Sequence, residues 1–210
     1  MNKVRRKCSV CKEYYEPKSV STEPCPKFDC RMVLTRKILA KREEKRGRES
    51  NIEKRKKKDE LKSKSQWEND LQTEINLIVK HIDKGWPCIS SGNLTGKRNA
   101  GHLWSVGSNR TIRFHLLNIF NQSEYDNGNR GGAPLEYMQG IKNTFGNELW
   151  EEIESLKAHP PIKQTIPEIR EKISIARGVV KELARADKLY SLEERIYLRR
   201  EINKRIGIYQ

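Results

Sequence analysis

Four of the five cysteines fall in the first 30 residues: Cys8 and Cys11 as a C-x2-C pair, thirteen residues, then Cys25 and Cys30 as a C-x4-C pair. The opening MNKVRRKCSV has no apolar stretch of a signal peptide. Such thiols are expected in a reducing cytoplasm, where clustered cysteines are metal ligands more often than disulfides. Two pairs at this separation can present four thiolates tetrahedrally to Zn2+. Thirty residues enclose little core, so the metal would supply the folding energy. Pro17, Pro24 and Pro26 suit a turn-rich knuckle. A second chemical set lies further on: Pro87-Cys-Ile-Ser-Ser-Gly, Ala100-Gly-His102, Arg113-Phe114, Asn118, and Asp126-Asn127-Gly-Asn-Arg130-Gly. His102 and Asn118 are sixteen residues apart, and Asn118 and Asn127 nine. An imidazole can take a proton from water near pH 7, and amide oxygens can ligate a hard cation.

This order and spacing resemble the HNH, or ββα-metal, nuclease motif. There a histidine closes a first strand, an asparagine ends a second, and a His or Asn on the following helix binds a metal ion. The resemblance implies that His102 is the general base, that Asn118 fixes the loop carrying it, and that Asn127 offers an oxygen to a catalytic Mg2+ or Mn2+. One such cation stabilises a pentavalent phosphate and its leaving oxygen. Many HNH proteins frame these residues with two C-x2-C pairs on a structural zinc. The equivalent places here are Cys88, Ser91, Ser123 and Asp126, with one cysteine in four. This second knuckle is therefore expected to close by packing or hydrogen bonds, with Cys88 a lone buried thiol. Gly101 stands where many members carry a metal-binding Asp, and Asn127 replaces the commoner His. Arg113 and Arg130 either hold phosphate bidentately or simply solvate the surface, and their positions beside the His102 strand and after Asn127 favour phosphate. His81, His115 and His159 fit no pattern and are read as structural.

Taken whole, the chain resembles the NinG/Rap family of phage recombination proteins. The shared features are the Cys cluster from Cys8 to Cys30, a basic helix over 31–64, then P-C-I-S-x-G, A-G-H, R-F, N-I and D/C-N-x-x-R/K-G. The resemblance covers nearly the whole chain and is weakest after residue 150. It implies a structure-specific DNA endonuclease acting on branched recombination intermediates, such as Holliday junctions or D-loops, in the cytoplasm of a bacterial host. Resolving a junction symmetrically takes two active sites, so a homodimer is the mechanistic expectation.

The elements that must carry these residues follow from charge and periodicity. The chain has 210 residues, 34% of them charged against ~25% in an ordinary globular chain. Its net charge is +15. Residues 31–64 hold fifteen basic and six acidic groups, so more than half of the net charge sits in 34 residues. That is the electrostatic footprint of a polyanion binder, with Lys54, Arg55, Lys56, Lys57 and Lys58 as its densest run. The plainer reading is a solvated helix. Trp67, Leu71, Ile75, Ile78, Val79 and Ile82 recur at helical intervals, Ser65 with Glu68 has capping-box spacing, and Gly85 ends the run. Residues 86–150 turn rich in Gly, Asn and Ser, hold three of the four tryptophans, and include the extended-looking piece Thr111–Leu117. After Pro160 and Pro161, Thr165 with Glu168 and Ser191 with Glu194 open two helices. Ile169, Ile173, Ile175, Val179, Val180 and Leu183 form the apolar face of the first, and Leu192, Ile196, Leu198, Ile202 and Ile206 that of the second.

The expected fold is α+β: a small ββα-metal (HNH-like) core over 65–157, with a zinc knuckle over 1–30, a basic helical arm over 31–64, and a C-terminal helical hairpin over 158–210. No run approaches the ~18 apolar residues of a membrane span, so no membrane partner is expected, and the resemblance implies DNA, branched on the family's pattern, as the partner. Two other classes stay open. One is a branched-DNA-binding protein with weak catalysis; the other is a basic zinc-ribbon protein that binds RNA.

Overall fold

The structure, a computed structural model, describes residues 5–17, 25–107, 109–160 and 163–208; Pro24 and Pro161 lie outside them. The chain divides into two compact units, residues 1–62 and 63–210.

In the first unit, β1 (Arg6–Lys7) and β2 (Tyr14–Tyr15) pair antiparallel, Arg6 opposite Tyr15. They hold a turn in which Lys12 takes a left-handed conformation (φ 63°) and bonds back to the Cys8 carbonyl at 3.0 Å. Helix α1 (Phe28–Glu60) runs for 33 residues without a proline. Lys, Arg, Glu and Ala are strong helix formers, and Glu44–Arg48, Lys45–Glu49 and Glu53–Lys57 add i,i+4 ion pairs. Cys30 in its first turn is the one residue it buries. The expected knuckle and arm therefore share α1, which starts three residues before the predicted arm.

The second unit is a two-stranded sheet clasped between three helices on one face and two on the other. Helix α2 (Lys64–Ile82) buries the six residues expected from the periodicity. Its cap differs from expectation: Ser63, with Gln66, forms the capping box, two residues earlier than Ser65 with Glu68. β3 (Arg98–His102) and β4 (Ile119–Ser123) pair antiparallel, with His102 opposite Ile119. Thr111–Leu117 is not extended but turns, ending in a single 3-10 turn at Leu116–Asn118. After β4 come one π-helical turn (Tyr125–Asn129), α3 (Pro134–Phe145), α4 (Asn147–Leu156), α5 (Ile166–Ala186) and α6 (Leu192–Ile206).

Successive side chains of a strand point to opposite faces, and here both faces are covered. Ile119 joins the core of α2, α5 and α6, whereas Phe120 joins Ile89, Leu103, Tyr137, Ile141, Leu149 and Ile153 on the other side. The C-terminal hairpin shares that first core, so 63–210 is one unit rather than two. On α5, Ala176 is buried while Ile175 and Val180 are only partly covered. On α6 the buried residues are Arg195, Arg199, Ile202, Asn203 and Ile206, not the leucines read from periodicity. Asp83 explains the arginines. Its carboxylate, fully buried, pairs at 2.8 Å with both guanidinium groups and accepts the Asn121 amide at 2.8 Å. Arg199 also donates to the carbonyls of Leu116 and Ile119, fastening the start of β4 to α6. Among the described residues no helix is long and apolar enough to cross a membrane.

Candidate functional site

His102 ends β3, half-buried. Its Nε2 lies 3.0 Å from the Arg113 carbonyl oxygen. A carbonyl only accepts, so this nitrogen carries the proton and the neutral ring keeps an unprotonated Nδ1. Burial holds the imidazole below its ordinary pKa, and the Arg113 charge acts the same way, against the raising effect of the carbonyl. His102 is thus a neutral imidazole of defined tautomer.

Asn118, fully buried, rivets the loop between the strands. Its Oδ1 accepts the Trp104 N–H at 2.9 Å, and its Nδ2 donates to the carbonyls of Trp104 (3.1 Å) and Ile112 (3.2 Å). It precedes β4 rather than ending it, because the amide must reach back across the loop mouth. Its amide is fully engaged in holding this loop. Arg113 is seated differently from expectation. Its side chain is 13% exposed, and its three nitrogens bond Glu68, Asn69 and Gln72 along α2. The guanidinium therefore anchors the carbonyl that holds His102.

Tyr137 carries no motif signal yet sits at the centre. Its hydroxyl donates to the Gly101 carbonyl and accepts the Phe120 N–H, both at 2.8 Å, wedged between paired strand residues beside His102. A buried tyrosine needs a partner for its hydroxyl, and that need was the available hint. Gly101 is fixed by space rather than by backbone conformation: a Cβ there would lie 2.1 Å from Gln122 Oε1. A side chain at this position, an Asp included, would have to displace Gln122, whose own Cβ would lie 2.9 Å away.

Asn127 lies half-buried on the π-helical turn after β4. Arg130 follows it, paired with Asp126 at 3.1 Å and with Glu136, so both carboxylates already engage it. The four positions of the second knuckle do converge. Cys88 Sγ donates to Asp126 Oδ2 (3.3 Å) and accepts the amides of Ser123 (3.1 Å) and Ser91 (3.5 Å). Ser123 Oγ donates to the same carboxylate at 2.6 Å and accepts the Asp126 amide at 3.0 Å. Cys88 is therefore buried but not alone. The Ser123 hydroxyl, before any other group, draws the Asp126 pKa down to about 2. His115 is structural: it is buried, its Nδ1 accepts the Leu117 amide, and burial lowers it to about 4.

In the first unit, one sulfur from each of Cys8, Cys11, Cys25 and Cys30 lies within 4.8 Å of all the others. A tetrahedral zinc ~2.3 Å from each sulfur sets them ~3.8 Å apart; Cys11 and Cys25 are 3.9 Å apart. The donor set fits a metal such as zinc. Backbone amides of Cys11 and Val10 lower the Cys8 thiol to about 6, while burial raises Cys30 to about 12. Four thiolates this close need a cation to coexist. Lys54 to Lys58 are all exposed on α1. At 100° per residue they encircle the helix: Lys54, Lys57 and Lys58 share one side, Arg55 flanks it and Lys56 faces away.

The family described as Bacteriophage Lambda NinG protein matches residues 1–187. Protein ninG of Escherichia phage 933W is 32% identical over 177 residues, covering 79% of this chain and 87% of that protein. The protein ninG of Enterobacteria phage H19B is 33% identical over 164 residues, 72% and 81% of the two chains. That of Escherichia phage lambda is 32% identical over 96 residues, 45% and 47%. No solved structure matches. The Cys cluster, the basic helix and the loop held by Asn118 thus sit within one continuous match, and the chain belongs to the NinG family of bacteriophage proteins.

Proposed function

We propose that this protein is a metal-dependent, structure-specific endonuclease of the HNH type, acting on branched recombination intermediates. The observation that carries the reading is the bond from His102 Nε2 to the Arg113 carbonyl. It leaves Nδ1 free to take a proton from the attacking water, in a ring that burial keeps neutral near pH 7. Asn118 and Tyr137 hold the two chain segments on which that bond depends. The resemblance gives Asn127 as a side-chain ligand for Mg2+ or Mn2+, although it follows the Ser123–Arg98 end of the sheet while His102 closes the other, so no step of the reaction is routed through it. Such a cation supplies charge for the leaving oxygen. The α1 lysines supply affinity without sequence choice.

Labelled four-way junction, duplex and single strand, each incubated with and without Mg2+, test this. Metal-dependent nicking of the junction is expected, and His102→Ala should lower its rate ~10²–10⁴-fold while DNA binding persists. Asn127→Ala should be partly rescued by more Mn2+, and His115→Ala should cut normally. Equal cleavage by wild type and His102→Ala would sink the assignment. A second reading, junction binding with little catalysis, is favoured by the missing carboxylate at Gly101; junction binding without nicking under any metal would select it. Preferential binding of structured RNA would select the third class.

A further inference from the structure

The nuclease reading leaves two tryptophans unused. Trp104 stands two residues beyond His102, a separation of at most ~7 Å along the chain. Both its backbone groups are held by Asn118, at 2.9 and 3.1 Å, so the amide that fixes the loop also fixes this ring's position beside the base. Its ring centroid is 6.3 Å from that of Trp150, tilted by 45°. Lys157 Nζ lies 4.0 Å over the Trp104 ring, and Lys142 Nζ 5.0 Å over the Trp150 ring. Both indoles are half-buried. Lys157 also pairs with Glu154 at 3.0 Å, a pair about one-third exposed on each side.

We propose that Trp104 and Trp150, with Lys157 and Lys142, form a stacking site for an unpaired nucleobase of the DNA whose phosphate reaches His102. This rests on the nuclease reading and names its substrate feature: a displaced base at a branch. A lysine over an indole at a half-exposed site contributes only about 2- to 5-fold. A base stacked on an aromatic side chain contributes about 5- to 150-fold and tolerates any sequence. The base therefore displaces the ammonium, which stays within reach of the flanking phosphate. In a continuous duplex every base is already stacked and paired, so this site gains nothing from it, and selection for branched DNA follows.

The test is binding in EDTA, where nothing is cut. Two DNAs differ only by one unpaired nucleotide, carrying 2-aminopurine at that position in one arm of the experiment. Wild type is expected to bind the bulged DNA more tightly and to quench the 2-aminopurine. Trp104→Leu should lose about 5- to 150-fold on the bulged DNA and less than twofold on the duplex, and Trp104→Phe should keep most of the preference. Equal losses on both DNAs, or none in a folded variant, overturn the proposal. If Trp104→Leu does not fold, unchanged 2-aminopurine emission with wild type overturns it without any variant. Nicking of the junction in Mg2+ alongside unquenched emission would reject the stacking site and leave the nuclease standing. Quenching without nicking would do the reverse.

Discussion

Two sets of four residues close loops in this chain, and they do it by different chemistry. Cys8, Cys11, Cys25 and Cys30 are four soft donors of one kind, their sulfurs all within 4.8 Å of one another. Cys88, Ser91, Ser123 and Asp126 alternate donors and acceptors, so each hydrogen finds an oxygen or sulfur. The surroundings differ in step with the chemistry. Among the described residues of the first unit, only the three cysteines 8, 25 and 30 are buried. The second closure sits in a unit with two apolar cores and a buried ion network. A hydrogen bond contributes a net ~0.5–1.5 kcal/mol, and a structural zinc an apparent ~10–16 kcal/mol. Where a core already brings the chain ends together, hydrogen bonds suffice; where none exists, the donor set is one that could hold a metal.

The largest effect should come from removing that metal. Zinc is expected at one ion per chain, bound by the first set and absent from Cys88. Chelation, or Cys8→Ser with Cys11→Ser, should unfold the knuckle while the thermal transition of the second unit stays where it was. Two ions per chain, or full retention in the double variant, would break the comparison.

Next in size is the ion network that gives the second unit its independence from metal. Asp83→Ala leaves two guanidinium groups buried without a counter-charge, at a cost of ~3–5 kcal/mol. Urea unfolding followed by tryptophan fluorescence checks this. A loss below ~1 kcal/mol would mean that water reaches the arginines and that the unit is held otherwise. This network is also where sequence reading failed. The α2 stripe was legible because six apolar residues repeat with the helical period, and Thr165–Glu168 and Ser191–Glu194 because a cap is a local pattern. Arg195 and Arg199 break the α6 stripe, since their partner lies more than a hundred residues away and periodicity cannot see it. At the site, His102, Asn118 and Asn127 stood out by type and spacing. The group that fixes the His102 tautomer did not, because it is a backbone carbonyl and every residue has one. Arg113 was misjudged for the same reason: its three α2 partners are distant in sequence.

Asp126 is expected to matter less, and in a pH-dependent way. Its folded pKa of about 2 lies below an unfolded value of ~3.9. The carboxylate's contribution is then fully present above pH ~4 and is lost as pH falls toward 2. Asp126→Ala, which leaves the Cys88 thiol and Ser123 hydroxyl short of an acceptor, should cost ~1–3 kcal/mol at pH 7. The gap between wild type and variant should narrow as pH is lowered from 4 to 2. A gap constant over that range would show that the carboxylate does not hold the closure.

The smallest effect is the most discriminating, because it places one substitution in both closures. Cys8→Ser replaces a soft thiolate by a hydroxyl that zinc does not retain, so its consequence is the loss of the knuckle. Cys88→Ser replaces a thiol that only exchanges hydrogen bonds. A hydroxyl is the stronger donor to Asp126, but its oxygen prefers ~2.7–2.8 Å where the sulfur sits at 3.3 Å, so a shift of about half an ångström is needed. It can still accept the Ser123 amide. The stronger bond and the lost apolar sulfur act in opposite directions, and the net change should stay within ~1 kcal/mol. Cys88→Ala, which removes the donor and the acceptor together, should cost more than Cys88→Ser. Urea midpoints for the three variants order these effects. If Cys88→Ser released bound metal or unfolded the second unit, Cys88 would be a ligand after all, and the two closures would be alike.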